Sequence, residues 1–99
     1  MEIMKTYKSI IQENMDECYI CHTTENLHVH HIYAGTANRK KSDDCNAVIR
    51  LCGKHHNMSK QGIHFNKELN LKIKQRAQIE LEKEHGHEWF METFGKSYI

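Results

Sequence analysis

Two pairs of soft metal ligands, Cys18 with Cys21 and Cys52 with His55, are each separated by two residues. Thiolate sulfur and imidazole nitrogen at that spacing suit a tetrahedral zinc ion, and four such ligands close a structural site. Three more histidines, His30, His31 and His56, lie between or beside these pairs and are not needed by the zinc. Imidazole binds divalent ions and exchanges protons near neutral pH, so a second, hydrolytic metal centre can be assembled from them. One ion would hold the fold and another would do chemistry.

The other members of an unusually large set of nine histidines carry less weight. His22, His85 and His87 read as surface or structural residues. His28 shares a strand face with His30, because alternate residues of a strand point the same way. His64 is either a surface histidine or a third metal ligand. His56 could close the zinc site in place of His55, but the two-residue spacing of Cys18 and Cys21 favours His55. Cys45 stands outside the paired pattern and reads as a small buried apolar residue. In a reducing compartment, four cysteines in so small a protein are metal ligands or thiols rather than disulfides.

These ligands need positioning by a small scaffold. Ninety-nine residues make one domain, 1–99, and a hydrophobic content of 38% is lean enough for a metal staple to supplement the core. Residues 4–13 show weak helical periodicity, and 18–26 form a zinc knuckle with a polar continuation. Residues 27–33 alternate as a strand, 34–44 read as a loop carrying Arg39, Lys40 and Lys41, and 47–51 form a second strand leading into Cys52. A helical turn is expected after Cys52. Asn66 is the expected cap of an amphipathic helix over 66–84, with Leu69, Ile73, Ala77 and Leu81 at four-residue intervals and Ile79 beside them. A short helix over 87–94 follows, with Trp89, Phe90 and Phe94 packing on the long one. The expected class is therefore α+β.

Cys18-x2-Cys21, His30-His31-Ile32 and Leu51-Cys52-x2-His55-His56-Asn57 together resemble the HNH endonuclease family, also called the ββα-metal or His-Me finger. The resemblance covers residues 16–66, with a C-terminal helical part over 66–95, and the segment 62–69 looks like small phage-encoded members. It implies a metal-dependent endonuclease hydrolysing DNA phosphodiesters, of phage or prophage origin, with Cys18, Cys21, Cys52 and His55 on a structural zinc. It further implies that His30 and His56 hold the catalytic ion and that His31 is the general base. The family's middle asparagine corresponds to Asn46, slightly further from Cys52 than usual, with Asn38 as a rival. The catalytic ion would be Mg2+ or Mn2+, although histidine ligands also accept Zn2+ or Ni2+.

Charge adds little to the choice of substrate. The net charge is +1, so affinity for DNA must come from a local cluster, for which Arg39, Lys40 and Lys41 are the candidates. No stretch is apolar enough to span a bilayer and the first ten residues lack the core of a secretion signal. The expectation is a protein of the bacterial host cytoplasm without membrane contact. Two other readings stay open: a non-catalytic zinc-binding module that binds DNA or a phage partner protein, and a toxin-like nuclease acting on RNA. The oligomeric state is open too.

Overall fold

The computed structural model describes residues 8–33, 35–56, 62–63 and 66–99, with only the backbone described at Thr36. Six elements follow in the order β1 (Leu27–His31), α1 (Thr36–Asp44), β2 (Val48–Cys52), α2 (Gly53–His56), α3 (Lys67–His85) and α4 (His87–Phe94). The class is α+β. The two strands pair antiparallel, with His30 opposite Ile49 and His28 opposite Leu51. That register puts His28, His30, Ile49 and Leu51 on one face and His31 on the other, because side chains alternate along a strand.

The strand ends are tied by a buried serine. Ser42 Oγ donates to the carbonyl of Tyr33 at 3.0 Å, and its own backbone oxygen accepts from Ala47 N–H at 2.8 Å. The segment 34–44, expected as a loop, contains α1 instead. Its described apolar content is Ala37 alone, so no hydrophobic stripe announces it; it is held at Ser42 and at Lys41, whose Nζ donates to the carbonyl of Thr93 at 2.7 Å.

The expected helix over 4–13 falls partly outside the described residues, and residues 8–13 are not helical. They run beside β2. Ile10 N–H donates to the carbonyl of Asn46, and Arg50 N–H donates to Oε1 of the buried Gln12 at 2.9 Å. Tyr19 N–H then takes the carbonyl of Arg50 at 2.8 Å, so the outer edge of β2 is capped rather than left bare.

α3 follows its sequence pattern closely. Asn66 Oδ1 accepts from Leu69 N–H at 3.0 Å as the N-cap, and Ile73, Ala77 and Leu81 are buried. Ile79, expected beside that stripe, is 48% exposed. Gly86 turns the chain from α3 into α4 at a φ of 91°, a conformation glycine adopts without strain. Phe90 and Phe94 then close on Tyr33, with ring centroids 5.5 and 4.4 Å from it. Trp89 lies at the margin, stacked on His85 at 4.0 Å. No helix among the described residues is long and apolar enough to cross a membrane.

Candidate metal centre and histidine cluster

The knuckle is built by local backbone bonds. Cys18 N–H donates to the carbonyl of Thr23, His22 N–H donates to the carbonyl of Cys18, and Ile20 N–H points at Cys18 Sγ from 3.4 Å. His22 completes the turn with a φ of 65°, while its ring faces solvent and pairs with Glu17 at 2.6 Å. The second half-site comes from the end of β2 and the turn of α2, which carry Cys52 and His55. Gly53 N–H donates to the carbonyl of Asn26 at 3.1 Å and thereby locks the two halves together.

The donor atoms of Cys18, Cys21, Cys52 and His55 all lie within 4.8 Å of one another. Cys21 and Cys52 sulfurs are 3.7 Å apart, and His55 Nδ1 is 3.8 Å from Cys18 Sγ and 3.2 Å from Cys52 Sγ. Zinc bonds of about 2.3 Å to sulfur in a tetrahedron require sulfurs about 3.8 Å apart, so the four residues fit such an ion. Burial pushes the Cys18 thiol up, but hydrogen bonds from Cys21, Cys52 and Ile20 outweigh it and hold the group down at about 6. Burial and the neighbouring thiols push Cys52 up. The group takes His55 rather than His56, and Cys45 lies apart, half-buried, with its thiol near the carbonyl of Ser42.

His56 instead turns toward β1. Its ring lies edge-on to His30 at a centroid distance of 5.4 Å and to His28 at 5.2 Å. His28 and His56 also approach through their Nδ1 atoms at 3.2 Å. His30 is buried, with 5% of its surface exposed. The three imidazoles are less tightly gathered than the Cys3His group, whose donors alone among the described residues meet the 4.8 Å spacing as a set of three or more.

No family model, curated protein or solved structure matches this chain. What its residues can do rests on their own geometry.

His31 leaves β1 on the face opposite His30, and its Nε2 meets Asp43 Oδ1 of α1 at 2.9 Å. Sequence reasoning missed Asp43, since one carboxylate of an Asp-Asp pair in an expected loop gives no signal of its own. Asn46 follows α1 at a φ of 62°, which asparagine tolerates better than most residues; its N–H donates to the carbonyl of Asp43 at 3.3 Å. Its visible task is that of a turn residue. Among the expected nucleic-acid contacts, Arg39 and Lys40 are exposed on α1, whereas Lys41 is engaged at the C-terminal end of α4. His64 and Asn57 fall outside the described residues. A cavity of about 640 Å³ lined by Tyr19, His22 and Arg76 lies away from the histidine cluster.

Proposed function

We propose that this protein is a metal-dependent endonuclease of the HNH type, with a ββα-metal core, that hydrolyses DNA phosphodiesters. The observation that carries the reading is the approach of His30 on β1 and His56 on α2, the helical turn that follows β2, directly beside the Cys3His group. The antiparallel pair of β1 and β2, with α1 between them in the chain and α2 directly after β2, supports the same reading, the Cys18–Cys21 pair lying before β1 and the Cys52–His55 pair at the β2–α2 junction.

His30 and His56 would hold the divalent ion, and zinc on Cys18, Cys21, Cys52 and His55 would fix the turn that aims His56. When bound, the ion supplies compensation for charge on the phosphate and the leaving oxygen. His31 Nε2–H donates a hydrogen bond to Asp43 and keeps its proton, which leaves the Nδ1 lone pair to take the proton of the attacking water. Asp43 thus orients the base and stabilises the imidazolium that forms. Arg39 and Lys40 contact flanking phosphates without reading bases. Mg2+ or Mn2+ suits this role, and Zn2+ or Ni2+ is compatible with the imidazole donors.

The second reading, a zinc module that binds without cutting, takes support from the same His31–Asp43 bond, which also ties β1 to α1. Nicking of supercoiled plasmid in Mg2+ or Mn2+, with chelator as control, separates the two. The endonuclease reading expects ion-dependent nicking that falls about 100-fold or more in His31→Ala while the circular dichroism spectrum is retained. A folded, zinc-loaded protein that nicks nothing with either ion leaves the binding module as the better account.

A further inference from the structure

Three lysines line one cavity between α3 and the C-terminal segment, and no step of the reading above uses them. We propose that Lys67, Lys74 and Lys96 form a second phosphate-binding surface, which holds the backbone of duplex DNA without reading its sequence. The inference rests on DNA as the substrate and adds a contact beyond Arg39 and Lys40.

Charge supplies the first argument. The cavity, of about 230 Å³, is lined by Lys67, Asn70, Leu71, Lys74, Lys96 and Tyr98, with no carboxylate among them. Other lysines of α3 are neutralised on the helix itself: Lys72 meets Glu68 at 3.8 Å and Lys83 meets Glu80 at 3.2 Å. Lys67, Lys74 and Lys96 make no ion pair among the described residues. On a chain whose net charge is +1, these cations gather a local field of the sign that phosphate requires.

The second argument is that the fold holds two of them together. Lys74 Nζ and Lys96 Nζ both lie over the ring of Tyr98, 5.1 and 5.3 Å from its centroid. Gln78 Oε1 accepts Tyr98 N–H and Gln75 Nε2 donates to the Tyr98 carbonyl, each at 2.8 Å, so the segment that carries Lys96 is fixed on α3. The ring attracts each ammonium, but the two repel one another, and burial together with Lys96 lowers the pKa of Lys74 from its ordinary value. A bound anion relieves that repulsion.

Spacing then selects the partner. Lys67 and Lys74 are seven residues apart, about 10 Å along the helix, whereas the phosphates of one strand step by about 3.4 Å of duplex axis. A run of phosphates engages both ends of the surface at once, which a single small anion does not. The ring of Tyr98 is taken up by the two ammoniums and by Tyr33 at 5.3 Å, so it offers no platform for a stacked base of the kind single strands use.

The test is fluorescence anisotropy of a short mixed-sequence duplex with the full zinc-loaded chain, without added Mg2+, over a range of salt. Lys74→Gln with Lys96→Gln should weaken binding at least tenfold and lower the slope of log affinity against log salt by about two. Lys96→Gln alone, at an exposed position, should lower that slope by about one. Lys72→Gln with Lys83→Gln removes the same charge at ion-paired positions and should stay within about twofold of wild type, all variants keeping the wild-type thermal midpoint. Equal losses in the two double variants would reduce the effect to bulk charge and overturn the inference. Wild-type affinity in the Lys74–Lys96 variant overturns it too, while plasmid nicking by the wild-type protein would leave the endonuclease reading standing. Inorganic phosphate displacing the duplex far better than chloride at equal ionic strength, or polyglutamate binding as tightly as DNA, overturns the assignment to a DNA backbone. No duplex binding by the wild-type protein overturns this surface and the DNA reading together. Lysine-dependent binding in a protein that nicks nothing supports the surface while removing the nuclease.

Discussion

Gln78 is fully buried in the middle of α3, where a glutamine is costly unless every polar atom is matched. It is matched at both ends. Nε2 donates to Glu82 Oε2 at 2.6 Å and to Ser97 Oγ at 3.1 Å, and Oε1 accepts Tyr98 N–H at 2.8 Å. One amide thus fastens the C-terminal segment onto the helix and seats Tyr98 beside Tyr33 at 5.3 Å. Gln78→Ala leaves a buried N–H without its acceptor and should lower the urea unfolding free energy by about 2 kcal/mol. Ile79→Ala, its half-exposed neighbour, should change it by less than about 0.5 kcal/mol. Equal effects at the two positions would mean that the C-terminal segment is not held by the amide. His31 and Asp43 make the corresponding pair on the functional side. Under the endonuclease reading, Asp43→Asn keeps an acceptor for His31 but removes the charge that supports its protonated form. Nicking should fall about tenfold or more with the melting midpoint nearly preserved, and unchanged nicking would take Asp43 out of the mechanism.

At the scale of elements, α4 packs on α3 and carries most of the aromatic contacts, which run mainly to Tyr33 and Tyr98 rather than to α3. Phe90 is fully buried, 5.0 Å from Phe94 and 5.5 Å from Tyr33 by ring centroid. Phe90→Ala should cost about 3–5 kcal/mol in chemical denaturation, the range for removing a large core ring. A loss below about 1 kcal/mol would mean that α4 contributes little to the fold. This interface was legible in the sequence, since Ile73, Ala77 and Leu81 repeat every turn and asparagine and glycine mark the ends. The two strands and the Cys3His group were legible as well, through alternation and ligand spacing. α1 was not, because its nine residues bear no apolar stripe and its support is distant: Ser42 on Tyr33, Lys41 on Thr93. The non-helical course of residues 8–13 was hidden for a similar reason. A weak local preference there yields to the pairing of Gln12 and Ile10 with β2 and its preceding turn, which only the assembled fold reveals. His31 was expected as a general base, but its partner Asp43 depends on α1 and so could not be named before that helix was known.

For the whole molecule, the question is how far the fold depends on an ion. The Cys3His group joins the knuckle at Cys18 and Cys21 to the end of β2 at Cys52 and to α2 at His55, adding to the backbone bonds that Tyr19 and Asn26 make there. The aromatic centre formed by Tyr33, Phe90 and Phe94 lies on the other elements and uses no ligand. With zinc on this group, as proposed, its removal should act unevenly. Sulfur ligands left without an ion must regain protons or repel one another, and the binding free energy of the ion is lost from the folded state. A strong chelator should lower the thermal midpoint by at least about 10 °C, since even a few kcal/mol moves a domain of this size that far. Hydrogen exchange should accelerate first over residues 18–23 and 48–56, with the centre of α3 protected longest. Cys52→Ser should reproduce that pattern without chelator. Uniform acceleration would instead make the ion and the aromatic centre one cooperative unit, and an unchanged melt in chelator would show that these four residues hold no ion that matters to folding. The uneven outcome has a functional consequence under the reading proposed here. Because His56 follows His55 directly, loss of zinc would misdirect the histidine cluster before the molecule as a whole unfolds, so ion binding at His30 and His56 should fail at lower chelator concentration than α3 does.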